Sequence, residues 1–157
     1  FIFRSMGLSF QEVGIALSGE KNENFKMLLN FALVLGISVA CVLSLITFTP
    51  LSYTWFHKIS GLSLELTQFA RLPAQILSLL PSLTVLISFQ RALLVKNGKT
   101  TPITIATSIE VVTIFTILFV AIAVLNPIGA ITAAIAFVIG RLCANTYLFI
   151  PCKKAIT

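Results

Sequence analysis

The fold is decided by Pro102–Leu125, PITIATSIEVVTIFTILFVAIAVL, and by the run that follows it after Asn126-Pro127, Ile128–Ile150, IGAITAAIAFVIGRLCANTYLFI. A helix needs roughly 20 residues to cross a ~30 Å hydrocarbon core. Both runs meet that length, and each holds one charged residue, Glu110 in the first and Arg141 in the second. Met27–Thr49 and Leu72–Gln90 are two further runs of this kind, with no charge in either. Lipid offers no partner to an open sheet edge, and a closed barrel would alternate polar with apolar residues, which these runs do not do. The pattern therefore predicts an all-α, polytopic transmembrane helix bundle with four full spans, 27–49, 72–90, 102–125 and 128–150.

The rest of the chain agrees with that reading. Of 157 residues, 57% are hydrophobic and 10% charged, and the mean hydropathy is +1.02. Such a composition excludes an ordinary soluble enzyme and a disordered region. Three cysteines, Cys41, Cys143 and Cys152, sit in or beside apolar runs; they are too few for a disulfide-stapled module and lack metal-ligand spacing. Net charge is +6, but the basic residues fall in short breaks between apolar runs instead of forming a patch, which argues against nucleic acid. Aspartate is absent.

If the four runs alternate in direction, Lys21, Lys26, Arg91, Lys96, Lys99, Lys153 and Lys154 gather on one side and only Lys58 and Arg71 on the other. The bias puts the lysine-rich breaks and the C-terminus in the cytoplasm, most simply at the inner (plasma) membrane of a bacterium. On the opposite side runs the longest connection, Pro50–Arg71, where Tyr53, Trp55 and Phe56 are of the type that settles at headgroup level. Its later part, Leu62–Ala70, reads as helix leading into the next span. Phe1–Leu17 reads as the end of a truncated span, closed by a polar break at 18–24. With no starting methionine, the chain is expected to be one transmembrane bundle, 1–157, from a longer protein whose N-terminal region is missing.

Pro73 and Pro81 stand inside the second run, as fixed kinks or as a hinge. Small residues at four-residue spacing, Gly36 and Ala40, Gly129 and Ala133, then Ala136, Gly140 and Ala144, make faces on which helices can pack closely. Glu110 and Arg141 are the sharpest chemical signal, because an ionisable group inside the hydrocarbon costs several kcal/mol unless it is paired or faces a polar cavity. The midpoint of 110 and 141 falls at the Leu125/Asn126 turn, so a simple hairpin sets both at one depth, roughly 12 Å from Pro102. They either line a substrate or coupling-ion path, Arg141 attracting an anionic or phosphate-bearing substrate and Glu110 taking up protons or tuning Arg141, or lock the two helices together. Arg4 and Glu12, two turns apart in the first helix, raise the same question.

Enzyme signatures are nearly absent: there is one histidine, His57, with no zinc-protease motif, nucleophile elbow, phosphate loop or paired acidic metal site. No cofactor or metal is expected. Cys152, beside Pro151 and Lys153, is at most a juxtamembrane acylation site.

Gln90-Arg91-Ala92-Leu93-Leu94-Val95-Lys96-Asn97-Gly98-Lys99-Thr100-Thr101-Pro102 resembles a cytoplasmic loop of the multidrug/oligosaccharidyl-lipid/polysaccharide (MATE-like) flippase superfamily, with Arg91, Gly98 and Pro102 as its marks. Pro127-Ile128-Gly129-Ala130-Ile131-Thr132-Ala133-Ala134 is similar to the start of a lobe's sixth helix there, and Arg4-Ser5-Met6-Gly7-Leu8-Ser9-Phe10-Gln11-Glu12 to the second. The resemblance spans helices two to six of one six-helix lobe. It departs at Ala92, where that superfamily often has glycine. It implies alternating access between two lobes, a small organic or lipid-linked substrate, and proton or sodium coupling.

The expected function is thus part of a secondary active transporter or flippase working in the lipid bilayer with a missing N-terminal lobe of the same protein. The alternative is a non-transporting anchor or assembly subunit that binds a partner through small-residue faces. A transporter lobe should bring Glu110, Arg141, Thr107, Thr113 and Asn145 to one open face, whereas an anchor should bury or pair them. A membrane transferase would have only Glu65 and His57 to work with.

Overall fold

The polar residues of the second and fourth apolar runs determine which helices lie inside. A computed structural model describes residues 2–17, 25–124 and 129–156. Its elements are α1 (Ile2–Leu17), α2 (Phe25–Phe48), α3 (Leu51–Tyr53) with a π-helical turn Thr54–Ile59 directly after it, α4 (Leu64–Leu77), α5 (Leu80–Lys96), α6 (Thr101–Val124) and α7 (Gly129–Ile156). No strand occurs among the described residues. Four helical stretches are long and apolar enough to cross a bilayer: Lys26–Phe48, Leu64–Lys96, Thr101–Ala123 and Gly129–Ala155. The chain is an integral membrane protein of all-α class.

α5 is the central post, packed on α1, α2 and α7, while α6 leans almost wholly on α7. One apolar cluster joins Ile87, Leu93 and Leu94 of α5 to Ala106 of α6 and to Ala144, Leu148 and Cys152 of α7. A second joins Val85 and Phe89 of α5 to Phe10 of α1 and to Leu28 and Ala32 of α2, with Phe10 and Phe31 stacked at 5.8 Å between ring centroids. Between α1 and α5 the approach is set by glycine. A Cβ on Gly7 would lie 3.0 Å from Thr84 Cγ2, and one on Gly14 would lie 2.9 Å from Ala92 Cβ.

Several ends differ from the sequence reading, each for a local reason. The second span begins as α4, where Ser63 caps the helix by accepting from the Leu66 N–H at 3.3 Å and Glu65 occupies the first turn, a favourable place for an acid. α4 stops at Leu77, where the Ser78 N–H and hydroxyl both donate to the Gln75 carbonyl at 3.2 and 2.7 Å. Pro73 does lie within α4. Pro81 instead occupies the first turn of α5, where its missing N–H costs nothing. It therefore starts a helix and does not kink one. At its other end α5 continues past Gln90 to Lys96, and α7 continues through Pro151 to Ile156. The Asn126-Pro127 link and the break at 18–24 lie outside the described residues.

The α5–α6 turn explains the loop motif. Gly98 has φ +68°, its N–H donates to the Val95 carbonyl at 3.0 Å, and the Lys99 N–H donates to the Leu94 carbonyl at 2.9 Å. These two bonds and a left-handed glycine form a Schellman cap. Asn97 adds a side-chain bond to the Leu93 carbonyl at 2.8 Å, and Pro102 follows in the first turn of α6. Gly98 and Pro102 thus serve the turn itself. On the opposite side, the His57 Nδ1 donates to the Leu62 carbonyl at 2.7 Å and its ring lies 5.1 Å from that of Tyr53, so His57 ties down the connection.

Candidate functional site

Glu110 stands nine residues into α6, roughly 14 Å from its start at a rise of 1.5 Å per residue, which is near the middle of a ~30 Å core. Arg141 comes from α7. Its Nη2 lies 3.2 Å from Glu110 Oε1, and the two residues are only 8% and 9% exposed. The pair is closed and covered.

The neighbouring glycine makes that closeness possible. A Cβ on Gly140 would come within 2.8 Å of Ile114 Cγ1 and 3.1 Å of the Glu110 carbonyl oxygen. With no side chain there, the α7 backbone rests on α6 beside the charged pair. Ala136 and Ala144, one turn away on either side, are fully buried. Of the small-residue faces read from the sequence, this one and Gly36 against Ser82 are packed, whereas a Cβ on Gly129 would meet no atom of another element within 4 Å among the described residues.

A polar ladder continues from the ion pair into α5. Asn145, one turn beyond Arg141, donates from Nδ2 to the Arg141 carbonyl at 2.9 Å and to the Leu83 carbonyl at 3.2 Å. Gln90 Nε2 donates to the Asn145 carbonyl at 3.2 Å, and the Cys152 thiol donates to the Gln90 carbonyl at 3.5 Å. Three oxygens in this region, Gln90 Oε1, Asn145 Oδ1 and Ser88 Oγ, are buried without a hydrogen-bond partner. Unmet polar capacity inside a membrane protein is costly and calls for a reason. Cys152 is buried, which corrects its reading as an acylation site: the thiol is enclosed between α5 and α7.

Arg91 has a different setting. It is half-buried, and its Nη2 donates to Thr107 Oγ1 at 3.1 Å. The Thr107 hydroxyl in turn donates to the Ile103 carbonyl at 3.0 Å. Arg91 therefore bridges α5 and α6 across a gap where the two helices otherwise scarcely touch. No family model, curated protein or solved structure matches the chain.

The expected site residues are thus partly united. Glu110 and Arg141 meet, and Asn145 is buried beside Arg141. Thr113 is half-buried and Thr107 exposed, so the five do not share one open face, and the buried, paired Glu110 and Arg141 with buried Asn145 are the arrangement expected of the anchor alternative. Glu12 is exposed on α1, a helix that packs on α5 and α2. Arg4 falls in α1, but its side chain lies outside the described residues. Among the described residues, no three His, Cys, Asp or Glu side chains gather as a metal group. The sequence reading overlooks Gln90, which it takes for the end of a span; its amide inside an apolar run was the available signal.

Proposed function

We propose that this chain forms part of a secondary active transporter or flippase of an inner membrane, with its lysine-rich ends in the cytoplasm. It exports a small organic or lipid-linked substrate by alternating access. One observation carries the reading: an acid and a base from different helices meet near mid-membrane, where an ionisable group marks a functional position by default. The buried oxygens of Gln90, Asn145 and Ser88 beside that pair support it, as does the resemblance of the Gln90–Pro102 segment and its flanks to flippase lobes. In this reading Glu110 and Arg141 form a charge switch that is closed in the present conformation, and opening the α6–α7 seam exposes both groups to substrate or coupling ion.

A second reading has its own support. A closed, covered pair is what an anchoring or assembly module would use to lock α6 to α7. Exchanging the charges, Glu110→Arg with Arg141→Glu, separates the two, because the exchanged pair can still lock. Efflux of an organic cation from energised cells and flipping of a lipid-linked sugar in vesicles give the readouts. The transport reading expects activity in the parent protein and at least a tenfold loss in a folded exchange variant, about 1.4 kcal/mol. Full activity in that variant removes the pair from the path, and no transport by the parent in either assay favours the module.

A further inference from the structure

We propose that the groove between the start of α6 and the end of α7 seats one anionic phospholipid from the leaflet on the lysine-rich side. The groove encloses about 350 Å3 and is lined by Lys99, Pro102, Tyr147, Ile150, Pro151 and Lys154. Its two cations come from separate elements. Lys99 is held by the Schellman cap, since its own N–H is bonded to Leu94, and Lys154 projects from the last turn of α7. Both are exposed, and neither forms an ion pair with a carboxylate among the described residues.

The remaining lining is apolar or aromatic. Tyr147 lies two turns before Lys154, roughly 10 Å deeper along the helix. The groove is therefore charged at its mouth and greasy along its length. That layout matches a phosphate at headgroup level with an acyl chain passing over Ile150 and Tyr147, and basic pockets between transmembrane helices recognise acidic headgroups in this way. A soluble phosphate would use the two lysines and leave the apolar wall idle. The inference needs only insertion in a membrane and does not depend on the transport reading.

Lys153 supplies an internal control, because it lines a separate apolar groove of about 320 Å3 on the opposite flank of α7. The test is native mass spectrometry of the whole protein, released from bilayers with equal palmitoyl-oleoyl phosphatidylglycerol and phosphatidylcholine. One phosphatidylglycerol should be retained over phosphatidylcholine by about thirtyfold, the order expected from two lysines at a membrane surface. K99Q/K154Q should reduce that preference to near unity, while K153Q and K99R/K154R keep it. Equal retention of both lipids by the parent protein overturns the proposal. So does an equal loss in K153Q, which would make the effect one of general charge. Displacement of the bound lipid by millimolar inorganic phosphate would reassign the groove to a soluble anion.

Discussion

α6 and α7 run side by side, yet they are built on opposite terms. Of the membrane-crossing part of α6, 11% is buried, against 39% for α7, and α7 is the less apolar of the two. The same order holds for the other pair: the more apolar α2 span has 22% buried, and the less apolar α4–α5 span 39%. A water-soluble protein would do the reverse. In lipid there is no hydrophobic drive to bring helices together, because acyl chains are as apolar as leucine, and close packing and polar contacts decide the arrangement instead. Helices with Gln90, Asn145, Arg141 and Gly140 go inside, and the helix with Phe115, Phe119 and Ile122 faces outward.

The hardest test of this contrast is at the ion pair. Glu110→Gln leaves a buried guanidinium that cannot shed its charge, and a loss of roughly 3–5 kcal/mol in unfolding free energy is expected. Arg141→Met, which leaves the Glu110 side chain buried without its partner, should also be destabilising. The double variant should recover most of the loss; a double variant as unstable as Glu110→Gln would show that the pair is not the unit. Next comes Gly140→Leu, where the added side chain meets Ile114 and the Glu110 backbone. About 1–3 kcal/mol is expected by analogy with overpacked cores, read from thermal unfolding in detergent.

Asn145→Ala removes two donors and should cost about 0.6–1.7 kcal/mol, the range found for hydrogen bonds between membrane helices. Thr107→Val, which deletes the bridge to Arg91, should fall at or below about 0.6 kcal/mol. The smallest effect is predicted on the outer face of α6. Phe119 is 76% exposed, so Phe119→Ala should change stability by close to nothing in bilayers, although the same truncation in a soluble core costs about 3–5 kcal/mol. A loss of that size would mean that α6 is covered by protein.

The all-α membrane class was legible because run length and charge spacing are properties of the chain alone. The shared depth of Glu110 and Arg141 was legible as well, since equal distances from a turn require no knowledge of packing. Whether they face each other depends on helix rotation, and Gly140 sets the approach in a way visible only once Ile114 and the Glu110 carbonyl are seen beside it. Helix ends were less legible. Arg91 reads as the edge of a span, but a guanidinium on a long stem can sit near a helix end and find a hydroxyl across the gap, so α5 continues to its Gly98 cap. That extension turns Gln90 from a boundary into an interior rung. Pro81 was visible as a disruption, but whether it bends a helix or begins one depends on Ser78 closing the previous turn.

The three thiols acquire a use from these positions. Cys41 faces outward, Cys143 is partly shielded, and Cys152 is shut behind the Gln90 carbonyl. Cys41 lies within the span Lys26–Phe48, so its outward face meets lipid, whereas a small membrane-permeant alkylating reagent should reach Cys152 only when α7 parts from α5. The molecule carries its own reporter of the α5–α7 contact, and the rate at which Cys152 is labelled would time the parting of those two helices without any residue being introduced.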